Sequence, residues 1–209
     1  MKSRLEQSEL RKLSYPLYLC TSFAPLNNQP FLQDILSLSC YLTEAVSQPS
    51  EKMLKAIRVQ WWLDCIKECH RKNSPLSDRI ILRIEKGYIN KENLLLIIEA
   101  FQQSIFKENP EQGVRRCWGL VFDYYYFSTD GKENESIQIL GSLIGELICN
   151  PQFRKFNMLE DDFIQIDSIS TQDGFIKSCK YLVHLYKKNK LENFTLLPIR
   201  LFTYVLLRR

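Results

Sequence analysis

Apolar residues recur every three to four positions along most of this chain, and this period constrains the fold more than any other feature. A segment with such spacing buries one face as an α-helix, whereas a half-buried strand would alternate apolar and polar residues. Turn-forming pairs such as Asn109-Pro110 and Asn150-Pro151 separate the segments. The pattern predicts helices over residues 29–46, 49–71, 76–85, 91–107, 114–127, 136–148, 175–188 and 195–207, and the acidic residues 160–162 suit the start of a further short helix. We therefore expect an all-α bundle.

The length and the glycine content bear on the number of domains. The chain has 209 residues and seven glycines, and no stretch rich in glycine or proline marks a linker. A chain of this length can bury one substantial hydrophobic core. We expect a single domain over residues 1–209.

Positive charge is concentrated near the end of the chain. The net charge of +4 is small, and nucleic-acid binding would need a stronger basic surface, so no nucleic-acid partner is expected. The segment Lys177–Arg209 is nevertheless basic almost throughout. It is either a solvated helix face or a contact with an anionic membrane surface or an acidic partner, and both interpretations stay open.

The cysteine pattern and the hydropathy of the chain indicate the cellular compartment in which the protein is expected. Seven cysteines are scattered through mostly apolar neighbourhoods, which is typical of buried free thiols in a reducing environment. No run of eighteen apolar residues is present, and the first ten residues lack the apolar core of a signal peptide. We expect a cytoplasmic protein that is either free or peripheral to the inner face of a membrane.

The most distinctive string is Ile-Arg-Val-Gln-Trp-Trp-Leu-Asp at residues 57–64, preceded by Ser50-Glu51. It resembles the Ser-Glu-Pro and Ile-Arg-Leu-Gln-Trp-Trp-Arg-Asp pattern of the squalene/phytoene synthase family. Shorter matches follow the same order along the chain, at residues 23–25, Tyr124, 139–141 and 196–198. The resemblance implies an isoprenoid-synthase-like helical bundle around a central cavity.

Within that family the chain looks closest to a degenerate branch. This branch includes the mitochondrial respiratory complex I assembly factor and its bacterial relatives, which share the Arg-x-Gln-Trp/Phe-Trp helix. Compared with full-length members, the chain looks shortened in its C-terminal third. The resemblance implies a prenyl or lipid ligand and a respiratory-complex subunit as partners.

The family's chemistry requires magnesium, and the carboxylates that would hold it are largely missing. The synthases hold pyrophosphate through Mg²⁺ bound by two Asp-x-x-x-Asp pairs, since residues four apart share a helix face. In the segment that corresponds to the first pair, the only carboxylate is Glu44. In the segment that corresponds to the second pair, the residue four after Asp123 is Phe127. Asp130 lies seven residues from Asp123, about 10 Å along a helix axis, so the two carboxylates do not readily coordinate one ion. Glu44, Asp123 and Asp130 are therefore only weak metal candidates, and no cofactor is expected.

The candidates for the lining of a ligand cavity lie in the distinctive string at residues 57–64 and beside Asp123. They are Arg58, Gln60, Trp61, Trp62, Asp64 and Tyr124. In the functional interpretation Arg58 binds a phosphate or carboxylate and the tryptophans form the wall of a cavity for an isoprenoid tail. In the structural interpretation the tryptophans fill the core while Arg58 and Asp64 form structural pairs.

Three functional hypotheses follow. The first is a catalytically degenerate family member with a lipid-binding or prenyl-binding role, or a role in assembling a respiratory complex. The second is an active Mg²⁺-dependent prenyltransferase that condenses two prenyl diphosphates head to head, with Glu44, Asp123 and Asp130 recruiting the metal. The third is an obligate interaction subunit whose partner completes the fold.

Overall fold

The computed structural model describes residues 9–48, 50–69, 74–130, 134–149, 160–187 and 197–207. Within these residues it contains eleven α-helices and no strand, so the predicted all-α fold class is confirmed. In chain order the helices are α1 (Glu9–Leu13), α2 (Tyr15–Thr21), α3 (Gln29–Ser47), α4 (Lys52–Glu68), α5 (Pro75–Glu85), α6 (Lys91–Ser104), α7 (Pro110–Asp130), α8 (Glu135–Cys149), α9 (Glu160–Ser168), α10 (Gly174–Lys187) and α11 (Leu197–Leu207).

The helices are grouped in two compact units. One unit comprises Met1–Gln33 and Ser170–Arg209, and the other comprises Asp34–Ile169. We call them the terminal unit and the central unit. The single domain expected from the sequence stays a prediction.

In the terminal unit, the start of α10 packs tightly against the segment after α2. A β-carbon added at Gly174 would collide with the backbone oxygen of Phe23, so only glycine permits this approach. The carboxylate of Asp173 caps α10 by accepting hydrogen bonds from the backbone N–H groups of Phe175 (2.8 Å) and Ile176 (3.2 Å). The terminal unit is thus held together by residues from both of its chain segments.

In the central unit, α7 and α8 pack closely because α8 presents glycines to α7. Trp118 of α7 is fully buried and lies over Gly145. Its indole Nε1–H donates a 2.9 Å hydrogen bond to the hydroxyl of Thr43 on α3, as a buried indole normally requires. Trp118 therefore joins three helices of the central unit.

Local capping explains where several helices begin and end. The backbone N–H of Gln112 donates to the side chain of Asn109 (3.1 Å), so α7 begins at Pro110 and not at residue 114 as the apolar spacing predicts. Helix α4 ends at Glu68, and the residue that follows it, Cys69, has a left-handed φ of 49°. Residues 70 and 71 of the predicted helix lie outside the described residues. The short helix expected at residues 160–162 is confirmed as α9, whereas α1 and α2 were not predicted.

Candidate functional site

A groove in the central unit is formed by the second half of α3 and the middle of α4. It has a volume of about 370 Å³, and its lining consists of Tyr41, Ala45, Ile57, Arg58, Trp61 and Trp62. The residues come together because Tyr41 and Ala45 are one turn apart on α3, as are Ile57 and Trp61 on α4. We call this feature the aromatic groove.

The two adjacent tryptophans of α4 have different environments. Trp62 is 7% exposed and packs with its ring centroid 6.3 Å from that of Tyr41. Trp61 is half-buried and meets Trp62 edge to face, with centroids 4.8 Å apart and planes at 82°. This arrangement is favourable for aromatic pairs. Trp62 thus belongs mainly to the core, while Trp61 presents surface to the groove.

Arg58 supplies the charge of the aromatic groove. Its side chain is exposed, and it forms no ion pair or hydrogen bond with any residue that the structure describes. The neighbouring Ile57 is 59% exposed and Met53, one turn earlier on α4, is 75% exposed. The groove therefore combines a guanidinium with an apolar surface that extends beyond its lining.

Gln60 and Asp64 do not line the aromatic groove, although the sequence analysis grouped them with Arg58. The Gln60 side-chain amide donates to the Asp64 carboxylate (2.7 Å), and its oxygen accepts a hydrogen bond from Gln102 of α6 (2.7 Å). These two residues connect α4 to α6. Asp64 thus makes a contact within α4, and Gln60 extends this contact to α6.

A second groove in the central unit lies between α6 and α7. Its volume is also about 370 Å³, and its lining consists of Asn93, Leu96, Ile97, Leu120, Asp123, Tyr124 and Phe127. The phenol oxygen of Tyr124 accepts a 2.9 Å hydrogen bond from the backbone N–H of Asn90, and burial raises the pKa of Tyr124. We call this feature the α6–α7 groove. It contains Tyr124, so the predicted cavity residues are divided between two grooves and the α4–α6 contact.

Asp123 is the charged residue of the α6–α7 groove. Its Oδ2 accepts a hydrogen bond from the side-chain amide of Gln138 on α8 (3.1 Å). Its Oδ1 is buried and has no hydrogen-bond donor among the described residues. An unsatisfied buried acceptor is unfavourable, so this carboxylate has capacity for a further donor.

Two of the three weak metal candidates, Glu44 and Asp123, have described side chains. Glu44 accepts a 2.6 Å hydrogen bond from Gln48, which follows the end of α3, while Asp123 is hydrogen-bonded to Gln138. The side chain of Asp130 lies outside the described residues. Among the side chains that are described, no group of three or more His, Cys, Asp or Glu residues is arranged to hold a metal ion.

The basic segment Lys177–Arg209 is described in part. Lys180 is 9% exposed, Lys187 is exposed and Arg200 is half-buried. Residues 188–196 and 208–209 lie outside the described residues, and the proposed membrane or partner contact stays a prediction. None of the helices in the described ranges combines the length and the apolar character needed to cross a bilayer.

Tyr41, Ala45, Ile57 and the apolar lining of the α6–α7 groove were not among the residues selected from the sequence. A signal for the first three was present, because each lies one turn from another lining residue of its own helix. What the sequence lacked was the pairing of α3 with α4.

Compared with known proteins, the chain matches no family model, no curated protein and no solved structure.

Proposed function

We propose that this protein is a non-catalytic relative of the squalene/phytoene synthases that binds one amphiphilic molecule in the aromatic groove. The ligand would have an isoprenoid or lipid tail and an anionic head group. The observation that carries the proposal is Arg58, an exposed guanidinium without a partner among the described residues, at the side of an apolar, aromatic groove. The choice of an isoprenoid tail rests on the sequence resemblance.

The lining suits an apolar tail. Tyr41, Ala45, Ile57 and Trp61 offer carbon surface, and Ile57 is largely exposed in the free protein. Covering such surface contributes roughly 25 cal/mol for each Å² of apolar area removed from water. The groove's volume of about 370 Å³ lies in the lower part of the range of ~300–1,000 Å³ for small-molecule sites, which favours one ligand over two prenyl substrates.

The head group would be bound by Arg58. A guanidinium is planar and always charged, and it donates two parallel hydrogen bonds to phosphate or carboxylate oxygens. Because Arg58 is exposed, water competes for it, and we expect a contribution at the low end of ~1.5–3 kcal/mol for hydrogen bonds to charged groups. This corresponds to about a tenfold change in affinity.

The proposal includes binding without Mg²⁺. Glu44 and Asp123 each use a carboxylate oxygen to accept a hydrogen bond from a glutamine amide. The apolar Phe127 stands where the second aspartate of an Asp-x-x-x-Asp pair would be, four residues after Asp123. With Arg58 as the counter-ion, no bridging metal is needed for the head group.

A pair of matched ligands tests the proposal. Farnesyl monophosphate and farnesol carry the same tail, and only the first has an anionic head. We expect both to change the tryptophan fluorescence of the protein, since Trp61 lines the groove. Arg58→Gln should weaken farnesyl monophosphate about tenfold and leave farnesol unchanged, whereas Trp61→Ala should weaken both.

The matched control for charge is Arg116→Gln. Arg116 is exposed on α7 and is not part of the aromatic groove, so both ligands should bind this variant as they bind the original protein. Equal losses at Arg58 and Arg116 would mean that the phosphate responds only to overall charge, and the proposed site would be wrong. Failure of both ligands to bind would also refute it.

For the cellular role we propose assembly of a respiratory membrane complex, as the resemblance implies. In cells that lack this protein, native gel electrophoresis should show less assembled complex I. Expression of the original chain should restore the complex, and expression of Arg58→Gln should restore it poorly if ligand binding serves assembly. Unchanged complex I in the deletion strain would remove this role and leave the ligand-binding proposal standing.

A further inference from the structure

The α6–α7 groove presents an apolar surface to solvent. Leu96 is 62% exposed, Leu120 is 40% exposed and Phe127 is 49% exposed, and all three line the groove above the buried Ile97 and Tyr124. Large apolar side chains grouped in this way are uncommon on a surface that stays in water and often mark an interaction site. The α6–α7 groove is separate from the aromatic groove, with which it shares no lining residue.

The shape of this surface follows from helical geometry. Leu120 and Phe127 are seven residues apart on α7, so they lie on the same face, about 10.5 Å from each other along the axis. Leu96 of α6 forms the opposite wall. A groove of two helical turns between two helices suits a third helix that inserts apolar residues at i, i+3 or i+4, and i+7.

Asp123 places a negative charge within this apolar surface. It lies three residues after Leu120 and four before Phe127, on the same face of α7. Its Oδ1 has no donor among the described residues, and the residue as a whole is half-buried. The terminal torsion of an aspartate is broad, so a small rotation turns a carboxylate oxygen towards the groove.

We propose that the α6–α7 groove binds an amphipathic helix of a partner protein, and that this helix carries a lysine or arginine that pairs with Asp123. The apolar residues of the partner cover Leu96, Leu120 and Phe127. Its basic residue supplies the missing donor and makes a charge-assisted hydrogen bond. The charge also fixes the register, because only a helix with a basic residue between its apolar anchors satisfies both features.

A displayed peptide library tests this inference on the full chain. The library consists of 20-residue helices with leucine fixed at three positions spaced as i, i+3 and i+7, and all other positions varied. After sorting against the protein, we expect enrichment of lysine or arginine at one position between the leucines. Binding of these peptides should fall about ten- to a hundredfold in Asp123→Asn, which removes the charge and keeps the shape.

Leu96→Glu should abolish binding, and Ile164→Glu serves as the control. Both residues are exposed, at 62% and 67%, and both belong to the central unit, but Ile164 of α9 does not line the groove. Neither change removes a core contact, so both variants should keep the helical circular dichroism spectrum of the original protein.

Several results would overturn the inference. They are the absence of any peptide that binds, binding that survives Leu96→Glu, and selected peptides without a preferred basic position. Sedimentation of the chain alone tests for a further contradicting result. A dimer that dissociates in Leu96→Glu would mean that a second copy of the chain occupies the α6–α7 groove. Binding to phosphatidylglycerol vesicles that is lost in Leu96→Glu would mean that the α6–α7 groove contacts a membrane surface. All these outcomes are independent of the ligand proposed for the aromatic groove.

Discussion

Replacing Gly145 by alanine tests how closely α7 and α8 pack. An added β-carbon would lie 2.6 Å from Cγ and Cδ1 of Trp118 and 2.7 Å from its Cβ. Favourable carbon–carbon contacts are about 3.5–4.0 Å apart, so one of the two helices must shift by close to 1 Å. Trp118 has little freedom to yield, because it is fully buried and hydrogen-bonded to Thr43.

Two opposing effects decide the stability of this variant. Alanine is favoured over glycine within a helix by about 1 kcal/mol, and overpacking a filled core costs about 1–3 kcal/mol. A close contact with three atoms of a fixed tryptophan side chain belongs at the upper end of that range. We therefore expect Gly145→Ala to lower the free energy of unfolding by about 1–2 kcal/mol.

Urea denaturation followed by tryptophan fluorescence measures this change. All three tryptophans, Trp61, Trp62 and Trp118, belong to the central unit, so the signal reports on that unit. Ser142→Ala on the same helix is the control, and it should be neutral or stabilising by about 0.5 kcal/mol, because alanine also favours the helix there. If Gly145→Ala is as stable as the original protein or more stable, the close approach of α7 to α8 is wrong.

Two further predictions concern the central unit. Asp34 is 4% exposed and receives hydrogen bonds from Nε of Arg79 (2.9 Å) and of Arg83 (2.6 Å). Asp34→Ala should destabilise the unit by about 3 kcal/mol, since it removes the buried carboxylate to which both guanidiniums donate. A loss below about 1 kcal/mol would mean that the ion pairs are weak surface contacts. Burial raises the pKa of the Cys117 thiol from 9.0 to about 12. Above pH 9 the unfolded chain therefore loses the thiol proton first, and the free energy of unfolding should fall by about 1.4 kcal/mol per pH unit towards pH 12. In Cys117→Ala the free energy of unfolding should fall less steeply with pH. An equal dependence on pH in both proteins would contradict the buried thiol.

Much of the helical structure was predictable, because a 3.6-residue apolar period is a strong signal. The predicted start of α7 at residue 114 is wrong because the sequence pattern treats Asn109-Pro110 only as a turn between two segments. The same pair is also a helix start, with asparagine as the cap and proline in the first turn. An Asn-Pro pair suits both a turn and a helix start, and the local hydrogen bond from Gln112 to Asn109 shows that it begins α7 here.

The separation of Arg58 from Gln60 was also predictable. The sequence prediction placed both side chains in one cavity, although residues two apart on a helix do not face each other. Gln60 and Asp64, four apart, share a face and are hydrogen-bonded. Helical spacing alone was therefore sufficient to divide this string into two groups.

The exposure of one side of α4 was not predictable. Apolar residues occur on two faces of this helix: Val59 and Ile66 are fully buried, whereas Met53 and Ile57 are largely exposed. A single sequence does not reveal which apolar face packs inside the central unit. That choice depends on the contacts that α4 makes with α5 and α6.

We propose that the aromatic groove binds an anionic isoprenoid without a metal. Calorimetric titration with a non-hydrolysable farnesyl diphosphate analogue, with and without Mg²⁺, tests it most directly. We expect one ligand per chain, the same affinity in both buffers and about a tenfold loss in Arg58→Gln. Binding that requires Mg²⁺ and disappears in Asp123→Asn while Arg58→Gln binds normally would contradict it, and would point to the prenyltransferase.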